Sequence, residues 1–356
     1  GQEQKMGVDL LQALLTSYLY ETQAAKAKDP KLLVEGQKAL LAFANSYADD
    51  ATVQEWCGII TNKYGRTCDL AKSNSMHLLG AGVAAMFAND AATGAQYLEK
   101  IVSRTDELSI AARPLALWYL AVLESQKQQT LKAAQKFKDL AEKYPKHAFA
   151  PLAARNAVIA YTTVIQELRR ANPGRPLGAL LQAEYIGSLE HLVNTFADKD
   201  PKAASWYLNL ADEHRFMSEF ADAGPKRAES RKKAVAAYEK VPPPKDGKPD
   251  GPTLYAKAMA LELRYLLWAE DLDKPAQTAA AAELIRDLQN FGKEAYELLP
   301  DIKGRLASDL KEWGARAELR AGMVILPTDG TELRGSNVLK AIPQRWPGTV
   351  AEGEAI

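Results

Sequence analysis

Apolar side chains recur at intervals of three and four residues in nearly every segment of this chain. That period gathers them on one stripe of a helix. One phrase carries it most clearly: an aromatic or Leu, an apolar residue three on, an aromatic four further, and often Pro. It reads Phe137–Leu140–Tyr144–Pro145, and it returns as Leu40–Phe43–Tyr47, Leu189–Leu192–Phe196 and Leu339–Ile342–Trp346–Pro347. A Pro or a charged break then stops the helix. A helix ending that recurs in this way predicts a stack of helical hairpins. Val324–Ile325–Leu326 is too short and isolated to be a strand. The periodic segments amount to about fourteen to sixteen helices.

Composition narrows the role. With 47% hydrophobic and 25% charged residues the chain is that of an ordinary folded protein. Its 45 basic and 45 acidic residues balance, so no global field points to nucleic acid or to anionic lipid. No transmembrane segment is expected. The stretch from Ser73 to Asn89 lacks charge, but its apolar part, MHLLGAGVAAMFA, falls well short of the roughly 20 residues a span needs. It predicts a fully buried helix. The chain opens Gly-Gln-Glu without Met, as a processed or cloned form does, so the lack of a visible signal peptide says nothing about export.

Two breaks organise the chain. ANPGRP at 171–176 cannot continue a helix, and it separates an expected N-terminal helical segment, 1–172, from a C-terminal one, 177–356, continuous with it. PPPKDGKPDGP at 242–252 predicts an exposed loop. Cys57 and Cys68 flank a Tyr64–Gly65 break. Two readings stand for them: buried thiols, or a disulfide across a helix–loop–helix corner, which would imply an oxidising compartment.

The stretch LALWYLAVLESQKQQTLKAAQKFKDLAEKYP resembles one tetratricopeptide repeat. Leu117, Leu120 and Ala121 match the packing positions of that family's first helix. Ala133, Phe137 and Leu140 match those of the second, and Pro145 the terminal Pro. The likeness is clearest over 114–165. Ala154, Ala157, Val158 and Tyr161 fall in the packing places of the next first helix. Glu124 departs from the pattern, standing where the family usually has an aromatic. The marker aromatics are unequally spaced, so the repeats are degenerate.

The resemblance implies an all-α, right-handed α-α superhelix, a solenoid of about six to eight antiparallel hairpins. It implies a groove facing Trp118, Val122 and Gln126, continued by Leu152, Arg155, Ile159 and Thr162. Trp118 would be an apolar anchor and Arg155 an acceptor of carboxylates; burial of Trp118 between helices is the competing reading. Ile159 stands where some members carry a carboxylate-clamping Asn. The YP…A…A…AY arrangement is similar to the repeats of exported bacterial proteins such as outer-membrane assembly lipoproteins, and implies a periplasmic location.

Catalytic signatures are missing. None of His77, His147, His191 and His214 has an acidic residue three before it, as helical di-iron sites require. Each is read as a surface or helix-end histidine. There is no phosphate loop and no nucleophile elbow. The basic clusters are Arg169–Arg170 with Arg175 and Lys226–Arg227 with Arg231–Lys233; acidic neighbours dilute the second, and no stacking aromatic beyond Tyr238 accompanies it. Trp206, Tyr207 and Trp268 are read as core. The expectation is a binding scaffold for a protein or peptide partner, with no enzyme activity, cofactor, metal or nucleic acid. The alternative is a structural subunit of a larger, envelope-associated assembly; an enzyme with a site outside the known motifs is the remaining one.

Overall fold

The computed structural model of the chain describes residues 2–47, 49–173, 177–245, 247–270, 277–328 and 332–355. The described residues form sixteen α-helices and two short 3-10 turns, with no strand among them. The fold is all-α, and within each part helices pack mainly on their neighbours in the chain. The chain divides into two compact units, Gly1–Thr195 and Phe196–Ile356. The expected division at ANPGRP falls earlier in the chain than this boundary, and its residues 174–176 lie outside the described residues. The helix after that break stays with the first unit because it is tied to the helix before it. Tyr161 donates to Glu184 at 3.0 Å and Thr162 to Tyr185 at 3.1 Å, while His191 meets the carbonyl of Ala141 at 3.2 Å.

The first unit holds α1 (Gln2–Ala27), α2 (Pro30–Ser46), α3 (Asp50–Tyr64), α4 (Ser75–Phe87) and α5 (Ala91–Ser103). It continues with α6 (Glu107–Gln126), α7 (Thr130–Lys143), α8 (Ala150–Ala171) and α9 (Ala179–Phe196). Three of its corners share one device. After α1, α4 and α6 the chain enters the left-handed region at Lys28, Asn89 and Gln128, with φ of 53°, 63° and 59°. The next amide then reaches back to a carbonyl of the finished helix, as in Asp90 to Ala85 at 2.9 Å and Gln129 to Glu124 at 2.9 Å. None of the three is Gly, although left-handed backbone usually favours it. Helix starts are set by Asp29, Asp49, Asn74, Asp90 and Asp106, each of whose side chains accepts an amide of the first turn.

The segment without charge is the buried helix it predicted, though shorter. Asn74 caps α4, so Asp69–Ser73 is a turn rather than helix. Gly80 lets α4 close on α3: a Cβ there would sit 2.6 Å from Ile60 Cγ2. Gly94 on α5 also approaches closely, its would-be Cβ 3.0 Å from the carbonyl of Gly82.

The second unit holds α10 (Ala203–Phe220), α11 (Pro225–Tyr238), α12 (Gly251–Glu270) and α13 (Gln277–Leu298). α14 (Arg305–Thr328), α15 (Glu332–Arg345) and α16 (Val350–Ala355) complete it. Val324–Leu326 is interior to α14. The loop expected at 242–252 is open over most of its described length, and Gly251 and Pro252 begin α12. The core gathers Leu254, Leu261, Leu288, Phe291, Leu310 and Trp346. In all four copies of the opening phrase the last aromatic sits at a helix end: Tyr47 and Tyr144 cap α2 and α7, Phe196 ends α9, and Trp346 follows α15.

Candidate functional site

The family-implied groove was placed on α6 and α8, and there the structure separates its members. Trp118 is 5% exposed. Its indole stacks on Phe149 at 4.3 Å, and Phe137 meets it edge-on at 5.3 Å. This corrects the groove assignment for Trp118: it pins α6 to the α7–α8 corner. Its neighbours on the same helix behave differently, Val122 being half-buried and Gln126 exposed.

α8 buries Ala153, Ala154, Ala157, Val158, Tyr161 and Ile165. Residues 152, 155, 159 and 162 make a second stripe, outside the buried one. Leu152 and Ile159 on it are 37% and 49% exposed, with Arg155 half-buried between them. Thr162 is engaged, donating to the carbonyl of Val158 at 2.8 Å as well as to Tyr185. What α8 presents is thus two apolar side chains about two turns apart, with a cation between.

Among the described residues, concavities lie elsewhere in both units. In the first unit a groove of about 360 Å³ runs between α1, α2 and α3, floored by Leu14, Leu40 and Ile60. Its only charged lining residues, Lys63 and Glu21, form an ion pair with each other. Ser17 Oγ, also on its wall, has no hydrogen-bond partner. In the second unit a cleft of about 400 Å³ lies over α12, with Ala256, Ala260 and Leu261 below. Arg264 and Asp287, 3.0 Å apart, mark its rim together with Asn290 and Glu239. Its size suits a small ligand or a few residues of peptide. Neither concavity was foreseen. For the first, the signal lay in α1 itself, which carries more apolar residues than one buried face can use.

Buried histidines correct the surface reading. His77, His147 and His214 are all buried. His147 Nδ1 accepts the amide of Phe149 at 3.1 Å, so its proton is on Nε2, 3.2 Å from Asn45 Oδ1. Burial lowers its pKa to about 4. Asn45 in turn donates to the carbonyl of Ala111 at 3.0 Å, so this network joins α2, α6 and the α7–α8 corner.

The cysteines are two free thiols, which corrects the disulfide alternative. Cys57 is buried on α3, and burial raises its pKa. Cys68 sits in the following loop, where its amide is held by the hydroxyl of Tyr97 at 3.1 Å. Of the basic clusters, Arg227 and Arg231 both pair with Glu270, and Lys233 pairs with Glu229. Arg175 lies outside the described residues. Trp206 is buried, while Tyr207 and Trp268 are half-buried. Among the described residues no three His, Cys, Asp or Glu side chains come together in a way that could hold a metal ion. No described helix is long and apolar enough to cross a membrane.

Comparison with known proteins adds little to this geometry. No protein-family model matches the chain, and no curated protein matches it. Among solved structures, that of a monomeric mutant of IFIT1 with m7Gppp-AAAA is similar at 12% identity and a TM-score of 0.29. The match takes in 95% of this chain and 66% of that one, so the chain spans just under two thirds of its neighbour's length. A TM-score of that size establishes no common fold, and the all-α assignment rests on the helices themselves.

Proposed function

We propose that this chain is a protein-binding scaffold of tetratricopeptide-like hairpins, with the outer stripe of α8 as its partner-facing surface. One observation supports the reading above the others. α8 satisfies its core with one stripe and still holds Leu152 and Ile159 in water on another, with Arg155 between them. Apolar anchors around a cation suit a partner segment that brings apolar side chains and a carboxylate. The role is binding rather than catalysis, and the partner is a peptide or a helix of another protein.

The experiment is selection of peptides from a random display library on the full chain, followed by affinity measurement. Ile159→Glu and Arg155→Glu should each weaken a selected peptide at least about tenfold, a loss of roughly 1.4 kcal/mol, with helicity unchanged by circular dichroism. Peptides that bind both variants as well as the parent would remove α8 from the reading.

A further inference from the structure

The most exposed apolar surface among the described residues is on α1. Val8, Leu11, Leu15, Tyr18 and Leu19 are between 58% and 66% exposed. Their spacing of three and four places them on a single stripe, away from the face with which α1 buries Ala13 and Ser17. Between Gln4 and Thr22 no charged residue falls on that stripe. α1 is therefore apolar on two faces, and α2 and α3 cover only one. Beside the stripe lies the groove floored by Leu14, Leu40 and Ile60, with Leu11, Leu15 and Tyr18 along its edge.

We infer that a second copy of this chain covers the stripe, through a two-fold symmetric contact of α1 with α1. Ridge and groove are neighbours on one surface. An antiparallel crossing level with residue 13 sets Leu11 against the partner's Leu15 and Val8 against the partner's Tyr18. Each ridge then enters the other copy's groove, as an isologous interface requires. At the observed exposures the five side chains hold on the order of 500 Å² per copy, so the pair removes roughly 1,000 Å² from water, the lower bound of a specific interface. Charge neither opposes the pairing nor calls for a different partner. The 45 acidic and 45 basic residues cancel, and the charged pair at the groove, Lys63 with Glu21, is already satisfied. This surface is separate from the α8 stripe, so either reading can fail without the other.

Sedimentation equilibrium of the full chain, from micromolar to submillimolar concentration, tests the inference. The parent should approach twice its 39.0 kDa mass. The double variant Leu11→Glu/Leu15→Glu should weaken the dimer at least about 100-fold, with unchanged circular dichroism because both side chains are already in water. Leu180→Glu, at a side chain 77% exposed on α9, should leave the dimer intact. A parent that stays at 39.0 kDa throughout overturns the inference, whether or not its stripe captures a foreign helix. So does a dimer that the double variant leaves unchanged.

Discussion

Both units close helices on small residues, and the second adds charged cross-links between its helices. In the first, helices close on one another through small residues and apolar surface: Gly80 against Ile60, Gly94 against the backbone of Gly82, and Trp118 in a stack of rings. In the second, the cross-links between helices carry polar handles. Asp212 on α10 accepts from Tyr238 on α11 at 2.5 Å and from Tyr255 on α12 at 2.9 Å. Arg320 on α14 takes Glu262 on α12 in a two-pronged pair and lies 4.6 Å over the Tyr265 ring. Glu318, buried on α14, accepts from Trp346 at 2.9 Å and pairs with Arg345 at 2.7 Å. Close apolar packing tolerates no added volume, whereas a buried polar link fails when one partner is removed. The open surfaces do not divide so simply: the first unit has an apolar groove beside α1 and a polar one between residues 71–75 and 100–106, and the second has a polar-rimmed cleft.

The sharpest break of that contrast is Trp346→Ala. It empties the site of a fully buried indole above Gly314, where even a Cβ would come within 2.6 Å of the ring. It also strips Glu318 of one of its donors. The expected cost is about 3–5 kcal/mol. Hydrogen exchange should show it as lost protection in α13 and α14, with α4 and α5 unchanged. Equal loss in α4 and α5 would mean that the units unfold as one, and the contrast between them would have no energetic meaning. Gly80→Val attacks the other unit. Its Cβ meets Ile60 Cγ2 at 2.6 Å and Ile60 Cβ at 2.8 Å, at an expected cost of about 3 kcal/mol. The matching observation is lost protection confined to α3, α4 and α5. Pairing the change with Ile60→Ala should recover part of it, because the two sites share one space.

Much of this architecture could be read from spacing alone, and its limits are physical. The phrase ending in an aromatic located the ends of α2, α7, α9 and α15, because a stripe of period 3.6 and a following break are both local properties. The three left-handed corners were not open to reading, since Lys28, Asn89 and Gln128 include none of the Gly that normally announces such a turn. Trp118 shows why the partner surface was harder. A repeat pattern says which residue follows a packing position, but Phe149, thirty-one residues on, decides whether that residue reaches water. The stripe on α1 was missed for the opposite reason. Apolar residues on two faces of one helix look like a strong core signal until the number of covering helices is known.

The mildest test concerns pH, and it acts on the first unit. His147 is held neutral: burial penalises the imidazolium, and Nδ1 is committed to the Phe149 amide. Its pKa of about 4 in the fold lies below the ordinary 6.5. Between those values the unfolded chain binds the proton more readily than the folded one, so this contribution is fully present above about pH 6.5 and declines as pH falls toward 4. Near pH 5 the loss amounts to about 2 kcal/mol. A His147→Gln variant has no such proton to gain, so between pH 7 and pH 5 its stability should fall less than the parent's by that amount. The measurement is denaturant unfolding of the two proteins at each pH, followed by circular dichroism. Parallel slopes for the two proteins would show that the imidazole charges without cost in the fold, and that its site is not as dry as the packing of the first unit requires.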